Sequence, residues 1–307
     1  MSMSREMKMS GRGAIMSLAG IDFQHTSEEE MLALVEHVLA EKIHGISFSA
    51  YLDGQGPRTE LSEVQVRERL AIIQPYISWV RSFSCTEGNQ FIPGIARESG
   101  LKTLVGIWLD DNLENNEREI ANAIDVAREG HANILAVGNE VLLRDELEED
   151  QLLDYIHRVK RAVPEVQVGY VDAYFKFVDH PRVTDACDVL LANCYPFWEG
   201  CSVDYALLYL KDMYRRVVQV ANGRRVIISE TGWPDTGSAT GAALPSRTNA
   251  MRYFLNVYQW AAEDGIDIFY FSSFDEAWKV GDEGDVGARW GLWDKTGHLK
   301  YGKAAHQ

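Results

Sequence analysis

Positive charge is in short supply in this chain. Its 307 residues carry 30 Lys and Arg against 46 Asp and Glu, a formal net charge of −16. A field of that sign repels phosphates, and no basic patch interleaved with aromatic residues offsets it, so nucleic acid is excluded as a partner. Cysteine is scarce too. Cys85, Cys187, Cys194 and Cys201 form no C-x-x-C pair and have no histidine cluster beside them, which argues against a zinc site. Cys85 and Cys194 fall within apolar runs and read as free buried thiols; a Cys187–Cys201 or Cys194–Cys201 bridge stays open. No apolar run is long enough to span a bilayer, so a membrane partner is not expected. The opening "MSMSREMKMSGRGAIMSLAGIDF" has basic residues but no continuous apolar core. It is a poor signal peptide, so the chain reads as cytoplasmic unless a leader has been removed from it.

A glycine-rich phosphate turn is missing as well. No G-x-G-x-x-G joins a strand to a helix, which removes the main signature of an open dinucleotide-binding sheet. The glycines of "VGDEGDVGARWG" (280–291) follow an apolar run without opening a helix and read as a long surface loop. Its Asp282, Glu283 and Asp285 are calcium-type ligands without the EF-hand spacing. Neither metal nor other cofactor is expected.

What is present is regular alternation. Ser27 and Glu30 form a capping box at the head of a helix over 27–42, with Met31, Leu34, Val35, Val38 and Leu39 on one face. Eight apolar runs follow, at 45–51, 79–85, 103–109, 133–140, 166–174, 188–198, 225–230 and 267–278, with amphipathic stretches at 61–74, 89–98, 114–129, 149–162, 203–221 and 246–264. Eight buried-type strands alternating with helices predict a single closed (β/α)8 barrel, residues 43–307. Residues 1–42 form an extension whose helix covers the bottom or an outer face.

In such a barrel the active site lies at the C-terminal ends of the strands. Those ends carry Tyr51 and Asp53, Arg81 and Ser84, Asn139 and Glu140, Asp172 and Tyr174, Tyr195 and Trp198, Glu230 and Trp233, then Asp275, Glu276, Trp278 and Lys279. No Ser/His/Asp set, electropositive cysteine or metal cluster appears among them. Two carboxylates on different strands, ringed by aromatics, suit glycosidic bond cleavage. One carboxyl must be protonated to help the leaving oxygen depart, and the other ionised to meet an oxocarbenium-like carbon. Taken singly, each residue has a plain structural reading as a helix cap or core cover; the set does not.

Three motifs then carry a resemblance. "AVGNEVLL" (136–143), "ISETGWP" (228–234) and "FDEAWK" (274–279) resemble glycoside hydrolase family 17, the β-1,3-glucanases and glucan transglycosylases with retaining (β/α)8 barrels. The similarity runs from about Gly45 to Tyr301, and "GISFSAYLDGQ" and "GIWLDDN" look closer to the bacterial and fungal branches than to the plant one. The resemblance implies Glu140 as general acid/base and Glu230 as nucleophile, with carboxylates about 5–5.5 Å apart. It implies Asn139 on the sugar 2-hydroxyl, Tyr195 holding the nucleophile, and Glu276 and Lys279 as motif positions, Lys279 lowering the nucleophile's pKa. Asp172, at the end of the fifth run, is a further substrate-binding candidate, and Tyr51, Trp198, Trp233 and Trp278 are candidates for sugar stacking or site walls. The expected partner is a β-glucan oligo- or polysaccharide; oligomeric state stays open. Hydrolysis is the first reading, transglycosylation with the same glutamates the second, and a catalytically dead glucan-binding barrel the third.

Overall fold

The computed structural model of the chain describes residues 20–302. Eight parallel strands pair in chain order and close: β1 (Ile43–Ser47), β2 (Ile77–Arg81), β3 (Lys102–Ile107), β4 (Ile134–Asn139), β5 (Gln167–Ala173), β6 (Val189–Asn193), β7 (Arg225–Thr231) and β8 (Ile268–Tyr270). The strands are apolar on both faces because both faces are covered. Leu104, Ile134, Ala136, Val171, Val189, Leu191, Ile227 and Phe269 pack with Trp79 as one buried group, separate from the larger cluster that includes the helices. This is the (β/α)8 barrel expected from the alternation.

The helices match the amphipathic stretches closely. They are Glu63–Ile73, Phe91–Glu98, Leu113–Arg128, Glu149–Ala162, Val203–Val220 and Arg247–Asp264, with two short turns of helix, Lys176–Asp179 and Pro181–Ala186, after β5. Ser62, Asn112, Ser202 and Ser246 cap four of them through their side chains, each satisfying an orphan N–H of a first turn. The expected capping box also forms: Glu30 N–H donates to Ser27 Oγ at 3.2 Å, and Ser27 N–H to Glu30 Oε2 at 2.8 Å.

That first helix, Glu28–Ala40, rests on the outer wall. It packs against Arg247–Asp264 on one side and the turn Gln74–Tyr76 on the other, with Glu28 ion-paired to Arg247 at 2.8 Å. No long helix follows β8 among the described residues; only short helical turns span 277–289. The N-terminal helix stands where the eighth helix of the ring would be.

The eighth apolar run, read as a strand over 267–278, yields three strand residues. The chain leaves the ladder after Tyr270 because its next backbone groups find other partners. Ser272 N–H donates to Trp290 O, Leu292 N–H to Ser272 O and Trp293 N–H to Ser273 O. "FDEAWK" is therefore loop and turn. Register shifts interrupt the β4–β5, β6–β7 and β7–β8 ladders between Ala136 and Asn139, Ala192 and Asn193, and Ile228 and Thr231. Such irregularities re-aim side chains at a barrel rim, and these sit beside Asn139, Glu140 and Glu230.

Candidate active site

Glu140 leaves β4 in a left-handed backbone conformation, φ 53°, two residues after Gly138 at φ 87°. Glycine adopts that geometry freely, whereas a glutamate held in it carries strain of the kind that collects at functional sites. Glu230 lies within β7 and is 6% exposed. Both carboxylates face one cavity of about 310 Å³.

The cavity has two kinds of lining. Asn193, Glu140, Glu230, Glu199 and Glu283 supply polar groups, and Leu143, Tyr174, Phe175, Tyr195, Trp198, Phe271 and Trp290 supply an apolar wall. A mostly aromatic surface with a few placed polar groups is the make-up of a small-molecule or sugar site.

Arg81 organises the floor. Its Nη1 donates to Glu230 Oε1 at 2.5 Å, to Ser229 O at 3.2 Å and to Ser47 Oγ at 3.3 Å, while Nη2 donates to Asn139 Oδ1 at 2.7 Å. Arg81 is 1% exposed, and its guanidinium carbon lies 4.4 Å from the centre of the Phe83 ring. A buried arginine needs this many acceptors, since an unpaired buried charge would be strongly unfavourable. Tyr195 completes the set by donating its hydroxyl to Glu230 Oε2 at 2.7 Å. Both oxygens of Glu230 are thereby fixed.

Glu140 has a different environment. Asn193 Nδ2 donates to its Oε1 at 2.9 Å. Burial, then the nearby Glu230 charge, push its carboxyl up to about 7, and the Asn193 hydrogen bond opposes that rise. Removing a charged group from water favours the neutral form, and a second negative charge adds to the effect. One site thus holds a carboxyl poised to carry a proton and a carboxylate paired with arginine.

Several expected site residues fall elsewhere. Asp172 is fully buried behind the wall, accepting from the Tyr170 hydroxyl and from Ala173 N–H at 2.7 Å. Trp233 is 1% exposed and packs between Phe197 and Tyr253, its Nε1 donating to Leu244 O at 3.1 Å; it is core rather than sugar-facing wall. Lys279 pairs with Glu276 at 2.6 Å and lies 4.1 Å from the Phe271 ring centre, so the cation on Glu230 is Arg81 and not Lys279. Trp278 donates to Glu276 Oε1 at 3.1 Å, and with Tyr51 it lines a second, much smaller recess between the loops after β1 and β8. Trp198 is on the main cavity rim, 41% exposed and 5.4 Å from Trp290 between ring centres.

The loop read as surface contributes to the site. Asp285 accepts from Ser238 N–H and Oγ, both at 2.9 Å, which ties this loop to the one after β7. The same loop brings Glu283 to the cavity wall, where burial pushes its carboxyl up to about 7 against the opposing charge of Lys279. Among the described residues no group of His, Cys, Asp or Glu has the arrangement of a metal site, and all four cysteines are free. No helix of the described residues is long and apolar enough to cross a membrane.

Arg81 was named at a strand end but given no role, and Asn193 had a signal that sequence reading passed over, an amide inside an otherwise apolar strand. Glu283 and Trp290 had none, because only the loop's path makes them neighbours of Glu140.

Known proteins give this geometry a context. A glucan 1,3-β-glucosidase of Arthroderma benhamiae is 30% identical over 228 residues, 68% of this chain and 73% of that protein. One from Saccharomyces cerevisiae is 27% identical over 76% of this chain and 82% of its own length. Among solved structures, the glycoside hydrolase family 17 β-1,3-glucanosyltransferase of Rhizomucor miehei superposes with a TM-score of 0.76 at 28% identity, covering 85% of this chain and 96% of that one. Residues 45–291 match the BtgE/BtgC glycoside hydrolase domain, so the chain belongs to that family, of the family 17 type, and is a glycoside hydrolase or glucan transglycosylase.

Proposed function

We propose that this barrel cleaves β-1,3-glucan by double displacement, with Glu140 as general acid/base and Glu230 as nucleophile. The observation that carries the reading is the asymmetry of two carboxyls at one cavity. Glu140 is held toward its protonated form by burial and the Glu230 charge, while Glu230 is bound on both oxygens by Arg81 and Tyr195. Glu140 gives its proton to the glycosidic oxygen as the Glu230 carboxylate attacks the anomeric carbon from the opposite face. The resulting glycosyl-enzyme is opened by a hydroxyl whose proton returns to Glu140, and two inversions give net retention. Asn139 Oδ1 is already engaged by Arg81, which leaves its amide N–H groups for the sugar 2-oxygen. The glucan 1,3-β-glucosidase relatives, and the laminaritriose complex of the Rhizomucor miehei enzyme, support the choice of substrate.

A pH profile follows from this assignment. Glu140 must enter the first step protonated, and its carboxyl lies at about 7. The protonated fraction is full at lower pH and is lost as pH rises through that value. kcat/KM for laminari-oligosaccharides is therefore expected to fall above about pH 7, approaching tenfold per unit. A profile still flat well above pH 8 would remove Glu140 from the acid role.

Hydrolysis is the first reading; transglycosylation is the second. The second is favoured by the apolar rim of Leu143, Tyr174, Phe175 and Trp198, a surface on which an acceptor sugar can displace water. Laminari-oligosaccharides incubated at low and high concentration, with products resolved by mass spectrometry and NMR, separate the two. Only shorter β-products are expected of a hydrolase; products longer than the input, persisting at high substrate, identify the transferase. Tight binding of the oligosaccharides with no turnover would overturn both.

A further inference from the structure

Asn193 is an unusual residue to find where it is. It ends β6 at 3% exposure, in a strand otherwise made of Val189, Leu190, Leu191 and Ala192. A buried amide requires partners for both ends, and Asn193 has them on two different strands. Nδ2 donates to Glu140 Oε1 at 2.9 Å, while Oδ1 accepts from Ser229 Oγ at 2.8 Å. Ser229 is fully buried and immediately precedes Glu230. Its backbone oxygen also accepts from Arg81. The residue before the nucleophile thus orients the amide that touches the acid/base.

We infer that Asn193 is a positioning residue for the second half of the reaction, aimed by Ser229 so that its N–H faces the Glu140 carboxylate that must take up a proton. The inference rests on the reading of Glu140 as acid/base. The two half-reactions make opposite demands on that group, protonated in the first and ionised in the second. A carboxylate oxygen accepts an N–H more strongly than the carbonyl oxygen of a neutral carboxyl, so this hydrogen bond favours the ionised form. The other groups facing Glu140 are Glu230 on β7, Asp172 on β5, Arg144 beyond β4 and Tyr195 beyond β6. Glu230 and Asp172 oppose ionisation of Glu140 and Arg144 favours it, and none of the four is on the strand that carries Asn193. The amide is the neutral group that donates to Glu140, since the Tyr195 hydroxyl donates to Glu230 instead.

The test uses an aryl β-glucoside whose leaving group departs without a proton, so that only the second step needs Glu140. Asn193→Ala is expected to release one enzyme equivalent of phenol rapidly and then to turn over at least about tenfold more slowly than wild type at neutral pH. The glycosyl-enzyme should accumulate enough to be seen by intact mass. With laminari-oligosaccharides, the basic limb of kcat/KM should move up by about one unit, because Glu140 has lost a donor to its charged form. Asn193→Leu keeps the side-chain size and removes the donors without adding a charge, and should move the limb the same way. A purely structural amide would lower Tm in both variants and leave burst and limb as in wild type, which would overturn the inference. Glu140→Ala with azide is the control. If the β-glycosyl azide forms there while the Asn193 variants stay unshifted, this proposal alone fails; if no β-azide forms, the acid/base reading fails and takes the proposal with it.

Discussion

Glu230→Ala is expected to reduce turnover of laminari-oligosaccharides by roughly 10⁴- to 10⁶-fold, the scale on which enzymes lose rate when a nucleophile is removed. The loss should lie in kcat, since most of the apolar wall that would hold sugar stays in place. With an activated β-glycoside, added azide should restore part of the rate by entering the space left by the carboxylate. That attack comes from the face Glu230 occupied, so the product is the α-glycosyl azide. NMR of that product is the decisive measurement. Normal turnover in the variant, or azide attached with β configuration, would place the nucleophile elsewhere.

The second large effect belongs to Arg81. Substituting alanine leaves the carboxylate of Glu230 buried without its cation and withdraws donors from Asn139, Ser47 and the Ser229 carbonyl. Breaking a buried ion pair on one side typically costs about 3–5 kcal/mol, and a urea denaturation curve should report a loss of that order. Activity should fall too, because one guanidinium aligns both Glu230 and Asn139. Arg81→Lys is expected to recover only a fraction of either. A lysine keeps the charge but cannot span four acceptors with one ammonium. Wild-type stability in Arg81→Ala would show that the pair contributes little to holding the barrel together.

Much of the fold could be read directly from the chain. The eight apolar runs are long enough, and the helices between them amphipathic enough, for closure to follow from the count. The glutamates were legible for a related reason. A charge at the end of a buried strand is costly there unless a site uses it, and Glu140 and Glu230 share that position on different strands. Residues around them were harder. Trp233 and Trp198 look alike in sequence, yet one is enclosed by Phe197 and Tyr253 and the other lines the rim. Burial depends on the path of the loops after β6 and β7, which local pattern does not encode. Asp172 misled for the opposite reason. It too ends a strand, but Tyr170 on its own strand takes its carboxylate inward. Lys279 was credited to Glu230 on the strength of the motif "FDEAWK". Three-residue spacing within a turn gave it to Glu276 instead.

The helix Glu28–Ala40 has a consequence for how the protein is made. It completes the ring by resting on Arg247–Asp264, and β1 closes the barrel by pairing with β8. Ile21 N–H likewise donates to Asn256 Oδ1 at 2.8 Å, across 235 positions of chain. These earlier segments therefore wait for the later ones before either reaches its final partners. Contacts of such long separation form slowly, and until they do β1 keeps an open edge that another strand could occupy. Glu140 and Glu230 are brought to one cavity by the same closure. A nascent chain that has already released both glutamates from the ribosome still lacks the wall that Phe271, Glu283 and Trp290 supply.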